Sequence, residues 1–345
     1  MPALRLVEHG GREAAGAAAG DGPGDGAAEE VRGESMSELN EKVKTAIDRL
    51  KAFEPKNGEG YYLAFSGGKD SVVCKALLEM AGVKYDATYR VTSVDPPELV
   101  QFIKAKHPDV RRDIPHDKDG QPITMWNLIP RKLMPPTQIA RYCCQELKES
   151  GGDGRITVTG VRWAESVRRA ESHGIVTIAD RKARREFDGN DSFRITKSGG
   201  YVLTNDNAES RLMVEHCYKH RRTTLNPIID WEDSDVWNFI RGESIPCCEL
   251  YKEGFHRLGC IGCPMAKTQG REREFLRWPK YKMAYLRAFD KMLERRRERH
   301  AADPTRPVWR QNGHDIVDAT PMDVFRWWME YDVLPGQIDL FEEEE

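Results

Sequence analysis

The sequence predicts an α/β protein in which a parallel sheet carries helices on both faces, followed by a mainly helical C-terminal region. Short apolar runs typical of buried strands alternate with amphipathic helical segments between about residues 55 and 240. Such alternation favours a parallel sheet. A Gly-rich turn joins the first predicted strand to the first predicted helix, which is where open α/β sheets commonly bind ligands.

The composition bounds the possible classes of protein. Hydrophobic residues make up 39% of the 345 residues, charged residues make up 32%, and the formal net charge is −3. These values do not favour a general nucleic-acid or membrane binder, and no apolar run approaches the roughly 20 residues of a membrane-spanning helix. We expect a cytoplasmic protein whose eight cysteines are mostly reduced, so that clustered cysteines indicate metal or redox chemistry.

Three regions are predicted along the chain. Residues 1–35 are rich in Ala, Gly and Glu and too poor in apolar residues to form a core, so we expect a disordered extension. A helix capped by Ser37 would then open an α/β domain with a Cys-rich motif over residues 36–270, and Met36 is a candidate translation start. Residues 271–345 are expected to be helical and to end in an acidic tail.

The elements of the α/β core follow from local patterns. Apolar and alternating runs predict strands, and one-sided apolar spacing between Gly or Pro stops predicts helices. The predicted strands are 61–65, 84–92 and 155–163, and the predicted helices between them are 71–82 and 96–108.

The later elements are less regular. Residues 180–206 are polar and Gly-rich, which predicts a surface hairpin or loop. Residues 230–242 predict a helix with Asp233 or Ser234 as its N-cap. A further helix is expected to begin after Thr320, because a proline at the first helical position follows this candidate cap.

The segment SGGKDS, residues 66–71, carries the strongest chemical signal. Its glycines allow a tight turn that points backbone N–H groups into a common space, and the following helix adds its positive N-terminal end. Lys69 adds a charge, while Ser66 and Ser71 add hydroxyl groups. The pattern predicts a cradle for phosphate, pyrophosphate or sulfate rather than an ordinary turn, and its spacing differs from the Walker A loop.

SGGKDS after an apolar strand resembles the PP-loop signature of the adenine-nucleotide alpha-hydrolase superfamily. Further stretches follow in the order typical of the phosphoadenosine phosphosulfate (PAPS) reductase family, which includes DNA-phosphorothioation sulfur-transfer proteins. These stretches are TSVDPPELVQFI, GVRWAESVRR, NPIIDWEDSDVWNFI and LYKEGFHRLGCIGCP. The resemblance covers about residues 60–265 and implies a PP-loop, Rossmann-like fold that acts on an adenine nucleotide.

The same resemblance implies roles for particular residues. Lys69, Asp70 and Arg162 are the candidate catalytic residues, and Arg162 follows a predicted strand where ligands of open sheets bind. For the segment that contains Arg169, the alternative is a solvated helix start. The residues implied in nucleotide binding are Ser66, Gly67, Gly68, Lys69, Asp70, Ser71, Arg162 and Arg169.

Two distant pairs of cysteines form a candidate metal site. Cys143 and Cys144 are adjacent, and Cys260 and Cys263 form a Cys-x-x-Cys motif. Four thiolates suit a [4Fe–4S] cluster or a structural zinc ion. Adjacent thiolates can reach separate iron corners, and the iron–sulfur adenosine phosphosulfate (APS) reductases that the chain resembles arrange their ligands similarly. We predict a [4Fe–4S] cluster on these residues, with zinc or unliganded thiols as alternatives.

A second adjacent pair, Cys247 and Cys248, leaves an alternative open. These two cysteines could join Cys260 and Cys263 in a purely local set of four ligands. We favour the distant pair because, in the family that the chain resembles, the paired cysteines precede the GVRxxES stretch, as they do here.

The remaining cysteines bear on the reaction. Reductases of the family attack sulfur with a cysteine near the C-terminus, whereas no cysteine of this sequence follows Cys263. Thiolate attack would require Cys217, Cys247 or Cys248 instead. Cys74 is expected to be a small core residue.

These observations predict an enzyme in which ATP, with Mg²⁺, adenylylates an acceptor, pyrophosphate leaves, and cluster-linked sulfur displaces AMP. The alternatives are reduction of APS or PAPS to sulfite and a non-catalytic nucleotide-sensing regulator. Candidate partners are a sulfur donor such as a cysteine desulfurase and a nucleic-acid acceptor. The basic run over residues 290–300 could contact nucleic acid, although a solvated helix face is the more common explanation.

Overall fold

The computed structural model describes residues 25–149, 151–152, 154–179, 193–195, 201–203, 214, 222–311 and 313–330. The chain divides into two compact units, Met1–Glu41 and Lys42–Glu345, and the second unit contains the sheet and all the candidate site residues.

The secondary-structure elements alternate as expected for an α/β core. The helices are α1 (Asp25–Ala52), α2 (Lys69–Ala81), α3 (Pro97–Lys106), α4 (Met125–Lys132), α5 (Tyr142–Leu147), α6 (Val167–Ser172), α7 (Asp233–Gly242), α8 (Thr268–Arg277), α9 (Pro279–Ala302) and α10 (Pro321–Trp328). The strands are β1 (Tyr61–Ala64), β2 (Tyr85–Arg90), β3 (Arg111–Asp113), β4 (Ile156–Val158), β5 (Val176–Ala179), β6 (Phe193–Ile195), β7 (Tyr201–Leu203), β8 (Arg222–Leu225), β9 (Trp309–Gln311) and β10 (His314–Ile316).

Within the described residues, one eight-stranded sheet has the order β3-β2-β1-β4-β8-β5-β7-β6. The first five strands in this order run parallel, and the last three pair in antiparallel fashion. The predicted α/β class with a mainly parallel sheet is therefore confirmed. Because β1, β4 and β8 are parallel neighbours, the segments that follow them meet at one edge of the sheet.

Several local predictions are confirmed. Helix α2 ends at Gly82, which adopts the left-handed conformation, and α10 begins after Thr320, whose side chain accepts a hydrogen bond from the Asp323 N–H. The core of the sheet contains fully buried apolar side chains such as Leu63, Val158 and Leu225. Burial of these side chains supplies the main stabilisation of the layered fold.

The predicted N-terminal ends of two helices are wrong. Helix α1 begins at Asp25 rather than after Ser37, because the Ala- and Glu-rich stretch before Ser37 has high intrinsic helix propensity. The predicted disorder of residues 1–24 lies outside the described residues. The N-cap of α7 is Glu232, because Asp235 accepts the Glu232 N–H at 2.8 Å.

The later regions agree with expectation only in part. The predicted strand over 155–163 is shorter and is followed by a 3-10 turn at Trp163–Glu165. The described part of 180–206 contains β6 and β7, which form an antiparallel pair as the hairpin prediction requires. The C-terminal region is mainly helical but includes the antiparallel pair β9–β10, which the helical pattern did not predict.

The basic run of α9 is mainly exposed, as expected for a solvated helix face. Arg295, Arg296 and Arg297 donate hydrogen bonds to the backbone carbonyl groups of Pro130, Leu133 and Ala319, respectively, and only Arg296 of the three is half-buried. Arg295 and Arg296 thus attach the helix to the end of α4, and Arg297 attaches it to the residue that precedes Thr320. No helix among the described residues is long and apolar enough to span a membrane.

Candidate functional site

The glycine-rich loop between β1 and α2 is closed by its own hydroxyl groups. Ser71 Oγ donates to the Gly68 carbonyl at 2.9 Å and accepts the Ser66 N–H at 3.2 Å. Gly67 has a φ of +73°, and a Cβ added there would lie 2.8 Å from Ile103 Cδ1 of α3. Both the backbone conformation and the packing therefore require glycine at this position.

Two cations and two carboxylates meet at the beginning of α2. Arg162 Nε donates to Asp70 Oδ1 at 2.8 Å, and Arg162 Nη2 donates to Asp233 Oδ1 at 2.7 Å. Lys69 Nζ lies 3.0 Å from the same Asp233 oxygen and 3.5 Å from Asp70 Oδ2. The Arg162 side chain is only 2% exposed, whereas that of Asp233 is 63% exposed. The buried Arg162 therefore holds both carboxylates in place from the protein interior.

These contacts set the charge state of Asp233. Partial burial raises the pKa of its carboxyl group, but the hydrogen bonds and charges of Lys69 and Arg162 outweigh burial and lower that pKa below its ordinary value. Asp233 is therefore a carboxylate at neutral pH.

The loop is also bounded by close backbone approaches. A Cβ added to Gly160, which follows β4, would lie 2.7 Å from Asp70 Cβ. On the other side, the Tyr251 hydroxyl accepts the Lys69 N–H at 2.8 Å. The Lys69 N–H is a helix N-terminal donor of the kind that binds phosphate oxygen, and the Tyr251 hydroxyl occupies it.

A group of three arginines, Arg141, Arg169 and Arg257, lies beside this constellation. Burial lowers the pKa of Arg169, and the positive charges of Arg257, Arg162 and Arg141 lower it further against the opposing effect of Asp70. Arg169 also forms an ion pair with Glu165. The mutual repulsion of these cations favours an anionic ligand in their neighbourhood.

The arginine group extends to the cysteines. Arg141 Nη2 donates to Cys144 Sγ at 3.7 Å. The hydrogen bond from Cys143, followed by the hydrogen bond and charge of Arg141, lowers the pKa of Cys144 against the effect of burial. The hydrogen bond to Cys144, burial and the charges of Cys144, Cys260 and Cys263 raise the pKa of Cys143. The fold thus brings the two distant cysteine pairs into one neighbourhood.

Two further side chains face this cysteine neighbourhood. Burial raises the pKa of the Tyr285 hydroxyl, with added effect from the charges of Cys260, Cys143 and Cys263. The charge of Cys260 raises the pKa of Lys148, which also hydrogen-bonds to that thiol. A cation and a buried hydroxyl group therefore accompany the thiols.

The second adjacent pair lies elsewhere. Cys247 and Cys248 act electrostatically on Tyr251, beside the glycine-rich loop, and Cys248 is 2% exposed. Burial raises the pKa of Cys247 to about 11 and also raises that of Cys248, so both thiols are protonated at neutral pH. Cys74 is fully buried, as expected for a core residue, and Cys217 lies outside the described residues.

The donor set of the cysteine neighbourhood suits a thiolate-binding metal or cluster. Each of the four thiols is partly exposed, and cationic side chains offset the charge that thiolates would carry. Among the residues that the structure describes, no group of three or more His, Cys, Asp or Glu side chains is already arranged around a common metal position. The residues that could hold such a group are Cys143, Cys144, Cys260 and Cys263.

The predicted nucleotide-binding residues are brought together as well, but local patterns overlooked some of their partners. Asp233 drew attention only as a candidate helix cap, although it contacts Lys69 and Arg162. Tyr251 and Arg257 both belong to the LYKEGFHRLGCIGCP stretch, which is the signal that could have identified them.

Residues 60–266 match the phosphoadenosine phosphosulfate reductase domain. The chain belongs to this family. The match contains the glycine-rich loop, Arg162, Asp233 and all the cysteines of the candidate metal site, and it ends just after Cys263.

Individual relatives agree with this assignment. An uncharacterised protein of Methanocaldococcus jannaschii is 24% identical over 283 residues, which cover 77% of this chain and 57% of the relative. An adenosine 5′-phosphosulfate reductase of Pseudomonas aeruginosa is 28% identical over 243 residues, which cover 68% of this chain and 78% of that enzyme. Because the chain spans little more than half of the former relative's length, similarity identifies the domain and leaves the activity to be proposed.

A solved structure of phosphoadenylyl-sulfate reductase from Candida auris, in a phosphate complex, superposes with a TM-score of 0.36 and 12% identity. The superposition covers 64% of this chain and 93% of the other.

Proposed function

We propose that the chain is an adenine-nucleotide-dependent sulfur-transfer enzyme that binds ATP with Mg²⁺ at the glycine-rich loop. The observation that carries this proposal is the constellation at the beginning of α2, where Lys69 and Arg162 are interleaved with Asp70 and Asp233. Loop N–H groups and Lys69 suit phosphate oxygens, whereas carboxylates beside them suit the magnesium ion that accompanies ATP. A sulfonucleotide without a metal would not need the carboxylates.

Each residue then has a distinct task. The loop from Ser66 to Lys69 would bind the phosphates, and the Lys69 ammonium group would stabilise charge that develops as pyrophosphate leaves. Asp233 would contribute a magnesium ligand, because both of its cationic contacts reach the same oxygen and most of the side chain is exposed. Arg162, buried below them, would position Asp70 and Asp233.

The reaction consists of two displacements. An oxygen atom of the acceptor attacks the α-phosphorus of ATP, and the bond to pyrophosphate breaks with its electron pair. Hydrosulfide from a separate donor then forms a bond to the acceptor atom that carries the adenylylated oxygen, and AMP leaves with that oxygen. A proton passes to solvent, no net oxidation occurs, and the products are AMP, pyrophosphate and a thiolated acceptor.

The four cysteines would serve this chemistry as ligands. Cys143, Cys144, Cys260 and Cys263 would hold a [4Fe–4S] cluster, with zinc as the alternative. Because four thiolates would fill the protein-ligand positions of either centre, the centre would hold the two cysteine-bearing segments together, and the hydrosulfide would come from the separate donor. A nucleic-acid acceptor is part of the same proposal, and so is a sulfur donor such as a cysteine desulfurase, whose persulfide a thiol would reduce, with formation of a disulfide, to release the hydrosulfide. Their support is chemical rather than structural.

Reduction of APS or PAPS is the second candidate, and the arginine group favours it. Arg141, Arg169 and Arg257 could hold a sulfate group near the cysteines, and similarity to an enzyme named APS reductase agrees. The reaction would need a thiolate to attack the sulfate sulfur, with release of AMP from APS or of adenosine 3′,5′-bisphosphate from PAPS, after which a second thiol releases sulfite and forms a disulfide. The thiols of Cys247 and Cys248 are protonated, and Cys248 is also buried, so they are poor nucleophiles for this step.

Product analysis separates the two candidates. Anaerobically purified protein is incubated with Mg·ATP, sodium sulfide and either tRNA or fragmented DNA, and in parallel with APS or PAPS and a thioredoxin system. We expect AMP and pyrophosphate in equal amounts from ATP, their loss in Lys69→Ala, and no sulfite. Sulfite release that disappears in Cys248→Ser would instead establish a reductase. Nucleotide binding with neither set of products would indicate a regulator.

A further inference from the structure

The helices that follow the family domain contact both cysteine-bearing segments. The family match ends at residue 266, whereas α8, α9 and α10 occupy residues 268–328. We call these three helices the C-terminal clamp. Their contacts with the cysteine-bearing segments are hydrogen bonds to backbone groups and aromatic packing, so they restrain the path of the chain at the cysteines.

The turn that carries Cys260 and Cys263 is held by two side chains of the clamp. Glu274 on α8 accepts the Gly262 N–H through Oε2 at 2.7 Å, and Tyr285 on α9 donates to the Ile261 carbonyl at 2.9 Å. Both backbone groups lie between the two cysteines of the motif. The clamp therefore restrains the turn that sets the spacing of Cys260 and Cys263.

Packing confines the same turn. Gly262 has a φ of +71°, and a Cβ added there would lie 2.6 Å from Phe275 of α8 and 3.0 Å from Trp328 of α10. The turn is thus pressed against the aromatic surface of the clamp, and only glycine fits at its centre.

The segment that leads to Cys143 and Cys144 is fastened by the same helices. Trp328 Nε1 donates to the Pro136 carbonyl at 2.7 Å, and Arg296 Nη1 donates to the Leu133 carbonyl at 2.9 Å. The acceptors precede the cysteine pair in the connection between α4 and α5.

Tyr285 joins the two attachments. Its ring centroid lies 4.7 Å from that of Trp328 and 5.2 Å from that of Trp126 on α4, and the side chain is 1% exposed. The Tyr285 hydroxyl bonds to the turn between Cys260 and Cys263, and its ring packs on Trp328, which holds Pro136 ahead of Cys143, so Tyr285 links the two cysteine-bearing segments.

We propose that the C-terminal clamp positions the two cysteine pairs relative to one another, with Tyr285 and Glu274 as its positioning residues. The inference rests on the proposed role of the four cysteines as ligands. It assigns a function to helices that lie outside the family domain. Residues that orient metal ligands from behind typically change metal affinity by about 10- to 100-fold when they are altered.

The test uses the full chain and conservative changes. Tyr285→Phe removes the hydrogen bond to Ile261 but keeps the ring, and Glu274→Ala removes the acceptor of the Gly262 N–H. Glu274→Gln retains an acceptor oxygen and should restore the wild-type behaviour. Asp315→Asn, in the exposed β9–β10 hairpin of the same region, is the matched control.

The first measurement is the rate at which a chelator removes iron or zinc from anaerobically purified protein. We expect Tyr285→Phe and Glu274→Ala to accelerate release by about tenfold or more, and Glu274→Gln and Asp315→Asn to leave it close to the wild-type rate. Unchanged release in both Tyr285→Phe and Glu274→Ala would overturn the proposal.

The second measurement does not depend on a bound metal. Metal-free protein is alkylated with iodoacetamide, and mass spectrometry follows Cys143, Cys144, Cys260 and Cys263 separately. We expect faster modification of Cys260 and Cys263 in Tyr285→Phe and Glu274→Ala, without a change at Cys247. If the wild-type protein binds neither iron nor zinc, the ligand assignment fails, but the alkylation result still decides whether the clamp holds the turn.

Discussion

The glycine-rich loop and the cysteine neighbourhood are organised in opposite ways. The loop is built from consecutive residues, and Ser66, Gly68 and Ser71 satisfy one another's polar groups within one turn. The cysteine neighbourhood joins segments that are more than one hundred residues apart, and the helices that brace it lie beyond the family domain. The geometry of the loop is thus encoded locally, whereas the spacing of the four thiols depends on tertiary structure.

The largest expected effect concerns the cysteine side of this comparison. Cys143→Ser or Cys260→Ser should abolish stoichiometric metal binding, because each removes one of four thiolate ligands. Metal analysis and visible absorption of anaerobically purified protein are the measurements. Cys247→Ser is the matched control and should retain the metal. Loss of the metal in Cys247→Ser alone would favour the local set of ligands, in which Cys247 and Cys248 replace Cys143 and Cys144.

The next effect concerns the buried cation that supports the loop. Arg162→Ala should lower the free energy of unfolding by about 3 kcal/mol, at the lower end of the range for breaking buried ion pairs, because Asp70 and Asp233 keep access to water. Denaturant unfolding measures this change. Arg310→Ala, which breaks an exposed pair with Asp315, should change stability by less than about 1 kcal/mol. Equal effects of the two variants would contradict the supporting role of Arg162.

Lys69→Ala tests the loop itself. Loss of a charge-assisted contact with phosphate of roughly 1.5–3 kcal/mol should weaken nucleotide binding about 10- to 100-fold. Calorimetric titration of the folded variant with Mg·ATP provides the measurement. Lys252→Ala removes an exposed lysine and is the control. Unchanged affinity in Lys69→Ala would mean that the loop is structural.

The smallest expected effect concerns Tyr251. Its hydroxyl accepts the Lys69 N–H, so a phosphate oxygen must compete for that donor. Tyr251→Phe should therefore strengthen Mg·ATP binding by roughly fivefold, which corresponds to about 1 kcal/mol. Weaker binding in this variant, measured by the same titration, would show that the hydroxyl assists nucleotide binding.

Local patterns predict much of the fold for a physical reason. The strand–loop–helix unit around residues 61–82 and the cap at Thr320 depend on neighbouring residues, and the structure confirms both. Strands β3 and β8 are only three and four residues long, and three of the four residues of β8 are polar, so no periodic pattern predicts them.

In the candidate site, too, local features are predictable from the sequence and tertiary contacts are not. The residues of SGGKDS are evident from their spacing, but their roles stay predictions. Asp233 looks like a helix cap in sequence, and only the meeting of β1, β4 and β8 at one edge brings it to Lys69. The contacts of Glu274 and Tyr285 with the Cys-x-x-Cys turn are likewise invisible in sequence, because they depend on how separate helices pack.

The most direct test of the central claim is the magnesium dependence of ATP binding. Anaerobic protein is titrated with ATP in a calorimeter, once with Mg²⁺ and once with a chelator. If Asp70 and Asp233 serve a magnesium–ATP complex, we predict at least about a tenfold weaker affinity without the metal. We also predict that Asp233→Asn removes most of that difference. ATP affinity that is independent of Mg²⁺, together with tighter binding of APS, would contradict the account.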